Sequence, residues 1–204
     1  MFESLFRNKT LRYRALLVLL CLYVGAVILD QTINPDQANL NPTPQLNEPD
    51  LYMIKASISQ INSRGELQSK IAAERFTHYP LTDVTALDRP NLELFAQDSD
   101  MPWTISSSQG RLLEGSKYRK QAVELWNSVL AEKEGPSGEK TTFTTQTLQV
   151  YPDENLAESD AEVSIFTRNT KTSAAGLRAN LNQDEFAFYS SAKQRVITTI
   201  HFDL

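Results

Sequence analysis

The sequence predicts an all-β domain of stacked antiparallel strands, a sandwich, barrel or jelly roll, preceded by one N-terminal transmembrane helix. Two observations carry the β assignment. From Leu51 onward apolar and polar residues alternate with period two, and clusters of Gly, Pro, Asn, Asp and Ser separate the alternating runs. The third observation carries the helix. Residues 15–29, ALLVLLCLYVGAVIL, hold no charge, with Tyr13 and Arg14 placed to extend the run by setting a ring and a snorkelling cation at a membrane interface.

The N-terminal elements come first in order. Residues 1–14 carry Arg7, Lys9, Arg12 and Arg14 against Glu3 alone, whereas the whole chain has a formal charge of −5. A basic flank before the apolar run, with Asp30, Asp36, Glu48 and Asp50 after it, puts residues 1–14 in the cytoplasm and exports the rest. A cleaved signal peptide using Val24, Gly25 and Ala26 is the rival reading, but the apolar run continues past that site to Leu29, which favours a retained anchor. Cys21 follows Leu20 rather than a small residue and reads as a lipid-facing apolar position. Residues 30–50 contain four prolines and four asparagines with no glycine, the composition of an extended tether. At about 3.1 Å per residue it reaches roughly 60 Å.

Residues 51–204 form the domain. Tyr52, Ile54, Ala56 and Ile58 share one face of the first strand, opposite Met53, Lys55, Ser57 and Ser59. Further strands are expected at residues 67–76, 92–96, 103–107, 142–150, 162–167, 177–181, 185–190 and 195–202, and turns at residues 63–65, 98–100, 135–138, 152–155 and 182–184. Residues 117–134 are ambiguous. Ala122, Leu125, Trp126, Val129 and Leu130 fall at helical spacing, yet Val123, Leu125 and Val129 also share a strand face that Asn127 interrupts, and the flanking strands favour strand. Aligned starts at Leu67, Trp103, Thr142 and Leu177 suggest a weak repeat of hairpin units.

The chemistry available is narrow. The acidic balance and the lack of a basic stripe argue against nucleic acid as a partner. One cysteine supports neither a disulfide nor a thiolate zinc site, and the two histidines, His78 and His201, stand far apart. No nucleophile elbow, phosphate loop or dinucleotide fingerprint occurs, so neither an enzyme nor a cofactor is expected. Asp153, Glu154, Glu158, Asp160 and Glu162 lack the spacing of a calcium loop and read as a solvated turn. Binding has better material: Ile54, Ala56, Ile58, Leu67, Ile71, Leu92, Leu94, Trp103, Ile105, Phe143, Val163, Ile165, Leu177, Leu181, Phe186, Phe188, Val196 and Ile200 are the candidate inward residues.

A family resemblance rests on residues 63–67 (SRGEL), 89–94 (RPNLEL), 102–106 (PWTIS), 123–129 (VELWNSV) and 175–181 (AGLRANL), taken in that order and spacing. Together with the short basic N-terminus, anchor and tether, these segments resemble the LptC family of lipopolysaccharide export. Asn127 departs from the pattern, since the family often has glycine there. The resemblance implies a periplasmic, open β-jellyroll held at the inner membrane. It would receive lipopolysaccharide from an inner-membrane ABC transporter and pass it to the soluble bridge protein LptA. It further implies that Ala56, Leu87, Leu94, Phe143, Phe186, Phe188 and Val196 line a lipid groove. Open sheet edges offer strands to partners: Ile54 and Ile58 are expected to face the transporter, and Ile197 and Thr199 to face LptA. A membrane-tethered scaffold with a filled core and no lipid ligand is the alternative.

Overall fold

The computed structural model describes residues 19–20, 22–26, 47–95 and 101–202. It divides into two units, Met1–Leu46 and Asn47–Leu204. In the first, residues 19–20 and 22–26 are helical and present Leu19, Leu20, Leu22 and Tyr23 to solvent. No helix among the described residues is long and apolar enough to cross a membrane. Residues 1–14, expected in the cytoplasm, Cys21, much of the expected anchor 15–29, most of the expected tether 30–50 and the turn expected at residues 98–100 lie outside the described residues.

In the second unit fourteen strands form one antiparallel sheet: β1 (Leu51–Ile61), β2 (Leu67–Tyr79), β3 (Val84–Asp88), β4 (Asn91–Leu94), β5 (Trp103–Ser106), β6 (Gln109–Leu113), β7 (Ala122–Glu134), β8 (Lys140–Tyr151), β9 (Leu156–Ser159), β10 (Val163–Phe166), β11 (Thr170–Ala174), β12 (Gly176–Asn180), β13 (Glu185–Tyr189) and β14 (Ile197–Ile200). The sheet folds on itself because β1, β2, β7 and β8 are long enough to serve two layers. One half of each belongs to a first layer ordered β1-β2-β3-β6-β7-β8-β9-β12-β13. The other half belongs to a second layer ordered β1-β2-β4-β5-β7-β8-β10-β11-β14.

The fold line is written in backbone conformation. In β7, Asn127 and Ser128 both take positive φ, 64° and 63°, and the register with β8 slips by one residue between Trp126 and Val129. Two residues of one strand then oppose one of the other, which bends the strand. In β1 the same line passes through Lys55, φ 50°, where the pairing with β2 is interrupted. The ambiguous segment is therefore a strand, with Val123, Leu125 and Val129 buried together as the alternation required.

The bend also explains a correction. Ile54 and Lys55 are both exposed opposite Arg75 and Glu74, so the inward face changes parity there, and Met53 rather than Ile54 packs towards buried Phe76. Ile54, Leu67, Val196 and Ile200, all expected inward, are 68%, 38%, 39% and 54% exposed. The repeat is likewise not one of equivalent units. Its starts fall on β2, β5, β8 and β12, of which β2 and β8 serve both layers whereas β5 and β12 each serve one.

Between the layers the core is filled. Leu92, Ile105, Val123, Ala131, Phe143, Val150 and Val163 are fully excluded from solvent, in one cluster that includes residues of both layers.

Candidate functional site

The inner faces of the two layers meet along an aromatic row. Trp103 of β5 lies 5.7 Å from Phe143 of β8 and 6.0 Å, edge-on, from Phe186 of β13. Phe186 in turn stacks on Phe188 at 6.5 Å. Trp103 and Phe143 are buried, whereas the two β13 rings are half-buried, because β13 pairs only with β12 and ends its layer. The row thus runs from a closed core to an open edge. Period two along β13 sets Phe186 and Phe188 inward and Glu185, Ala187 and Tyr189 outward.

The other lipid-groove candidates fall on the same inner surface with one exception. Leu87 of β3 and Leu94 of β4 are 2% and 1% exposed, and Ala56 and Ile58 of β1 pack on the core from the opposite end. Val196 precedes β14, outside the row.

Away from the fold line the layers are joined by polar contacts at their far rims. Lys133 of β7 donates to both carboxylate oxygens of Asp184 at 2.9 and 2.7 Å, and Trp103 Nε1 donates to Asp184 Oδ1 at 3.1 Å. Asp184 sits in the β12–β13 turn at φ 54°, a conformation Asp tolerates better than most residues. The Lys133 ammonium also lies 5.9 Å from the Trp103 ring. A second join brings Gln60 of β1 to Asp153 at 2.8 Å and Gln68 of β2 to the Pro152 carbonyl at 3.3 Å. Of the acidic cluster, Asp153 takes part in this join, and Glu154 and Glu158 form ion pairs of their own. Glu154 pairs with Lys120 at 2.5 Å, and that hydrogen bond raises the Lys120 pKa. Glu158 pairs with Arg178 at 3.2 Å. Periodicity located the rings but not the rims, since a turn carboxylate gives no signal of its partner across the sandwich.

At the remaining edges, among the described residues, β1 pairs only with β2 and β14 only with β11. The register pairs Thr170 with Ile200, and the His201 amide donates to Asn169 at 2.8 Å in the same register. Amides two residues apart on a strand point the same way. The amides of Ile197 and Thr199 therefore face β11, and those of Thr198 and Ile200 face outward.

The model of the family described as lipopolysaccharide-assembly, LptC-related, matches residues 15–197. The chain belongs to this family. In this LptC-family chain Asn127 takes a positive φ of 64°, one that Asn reaches readily. A comparison with curated proteins returns no match. Among solved structures the chain is similar to LptH from Pseudomonas aeruginosa, described as the LptA homologous periplasmic component of the conserved lipopolysaccharide transport device. Identity is 9%, the TM-score is 0.49, and the match covers 72% of this chain and 96% of that one.

Proposed function

We propose that this LptC-family protein is a passive carrier of lipopolysaccharide, held at the inner membrane by residues 15–29 with its sheet domain in the periplasm. It takes the lipid from an ABC transporter and passes it to LptA. The supporting observation is the aromatic row that leads from buried Trp103 and Phe143 to the half-buried Phe186 and Phe188 at an open sheet edge. Acyl chains sliding in along that row leave water at a gain of roughly 0.8 kcal/mol per CH₂. The filled core means that loading requires the layers to part, and the rims beyond the fold line are the polar joins that give way. Directional movement draws on the transporter's ATP hydrolysis, and this chain contributes binding alone.

Hand-off uses the outward amides of β14, with LptA adding a strand there. The β1 edge, with Ile54 exposed, faces the transporter. The filled interior also favours a second reading, a tethered scaffold with no lipid ligand. A photo-crosslinking residue at Phe186 in living cells, with Glu154 as the exposed control, separates the two. The carrier gives a lipopolysaccharide adduct at Phe186 alone. A folded, membrane-bound protein without any adduct is the scaffold.

A further inference from the structure

One concavity, of about 560 Å³, is lined mostly by side chains that point away from the space between the layers, with buried Leu125, Leu148 and Leu177 also reaching it. It opens on the outer face of the first layer, bounded by Trp126, Thr147, Gln149, Glu158, Arg178 and Tyr189 among others. Its origin is topological. β8 pairs with β9 in the first layer and with β10 in the second, and where β9 ends at Ser159 the edge of β8 at Thr147 is left without a neighbouring strand. The side chains around this gap are held by their own contacts. Trp126 Nε1 donates to Gln109 at 2.9 Å, which fixes the indole. The Tyr189 ring lies over Gly176, its cross-strand partner, where a Cβ would come within 3.5 Å of the ring. Glu124, Gln149, Glu158 and Arg178 are direct neighbours across four strands. Both carboxylates of that row already have cationic partners, Glu124 with Arg111 and Glu158 with Arg178.

We infer that this cavity is a saccharide-binding site. Two aromatic side chains, Trp126 and Tyr189, border the cavity, and aromatic rings pack well on the C–H surface of a sugar ring. The row of planar carboxylate, amide and guanidinium groups, with Asp160 beside it, offers donors and acceptors to vicinal hydroxyls, and the excess of carboxylates disfavours an anion. The volume lies within the range of about 300–1,000 Å³ that holds small organic ligands. Tyr189 adds a geometric point: it stands on the outer face of the same edge strand whose inner face carries Phe186 and Phe188. A molecule straddling β13 would set its sugars in this cavity and its chains against the aromatic row. That extension rests on the carrier reading, whereas the saccharide site does not.

The test uses the fluorescence of the full chain in a detergent without a sugar head group. The chain has two tryptophans, Trp103 at 1% exposure and Trp126 beside the cavity, so a response to a ligand outside the core reports Trp126. The probes are lipopolysaccharide, its deacylated saccharide, and spermidine as an organic cation. The site gives a saturable emission change with deacylated saccharide, absent in Trp126→Phe and weakened about tenfold by Tyr189→Ala. Tighter response to intact lipopolysaccharide than to its saccharide supports the straddling ligand, and equal response supports a free saccharide. No saturable response to the saccharide, an undiminished response in Tyr189→Ala, or an equal response to spermidine overturns the proposal. Lipid adducts at Phe186 are scored separately in Tyr189→Ala, so loss of the saccharide site leaves the carrier reading standing or falling on its own result.

Discussion

Removing the charge of Asp184 tests whether the far rim holds the layers together. Lys133 has a side chain only 12% exposed, and its ammonium meets both carboxylate oxygens of Asp184, itself 49% exposed. Asp184→Asn keeps an acceptor for Trp103 Nε1 and keeps a residue suited to φ 54°, so the change isolates the charge. A charge-assisted hydrogen bond exceeds a neutral one by about 1–1.5 kcal/mol, and solvent at Asp184 discounts this. Against it stands the cost of leaving a largely buried ammonium without its counter-ion. The expected loss is about 1–2 kcal/mol, or a Tm lower by about 2–8 °C for a domain of this size. Lys133→Met removes the buried charge and keeps the aliphatic packing, so it should cost about 0–1 kcal/mol, and the double variant no more than that. Thermal unfolding of the full chain followed by circular dichroism reads the order directly. If Lys133→Met is the more damaging change, or the two single losses add, the rim is not a buried cation satisfied by one carboxylate and the reasoning fails. Under the carrier reading the same Asp184→Asn variant gives more lipopolysaccharide adduct at Phe186, because the layers part more readily.

Three further outcomes are expected. Phe143→Ala, which empties a fully buried site, lowers stability by about 3–5 kcal/mol in chemical denaturation, and a loss below about 1 kcal/mol would mean the layers collapse freely. Under the carrier reading Thr198→Pro abolishes capture of LptA and costs β14 only its hydroxyl contact with Thr172, whereas Ile197→Pro and Thr199→Pro break ladder bonds to β11 and lower the Tm further; identical behaviour of all three would contradict the amide directions. Asn127→Gly leaves the Tm within about 2 °C, whereas Asn127→Val, β-branched at φ 64°, lowers it by several degrees, and a tolerated valine would show that the bend is not conformationally demanding.

What the sequence made legible depended on how much of each strand faces the core. Strands with two or more large apolar residues on one face, such as the Trp103–Ser106 and Val163–Phe166 segments, stood out. Those with small or polar inward residues did not: β11 buries Thr172 and Ala174, β9 buries Ala157 and Ser159, and β6 contains Gly110, which fits because a Cβ there would meet the Glu124 carbonyl at 2.9 Å. Their place is fixed by backbone pairing with neighbours that no local pattern reveals. The inward set was read well on covered strands confined to one layer, as at Leu92, Leu94, Ile105 and Leu177, and misread at Ile54, where the strand crosses from one layer to the other and its parity changes. Ile200, on an edge strand, and Val196, just before it, are exposed as well, and neither position is marked by the local alternation.

The sharing of β1, β2, β7 and β8 by both layers has a mechanical consequence. Four continuous backbones cross the fold line, so the layers cannot slide past one another or separate as plates without breaking covalent chain. The motion left to them is rotation about that line, greatest at the rims and near zero at Asn127 and Lys55. Such a rotation changes the width of the interior while every ladder hydrogen bond within each layer keeps its partner. An interior that widens in this way does so along its whole length at once, and a strand added by a neighbour at either end would be carried through the same angle. The domain would then pass on to the next member of an assembly an opening of its own, without a separate moving part.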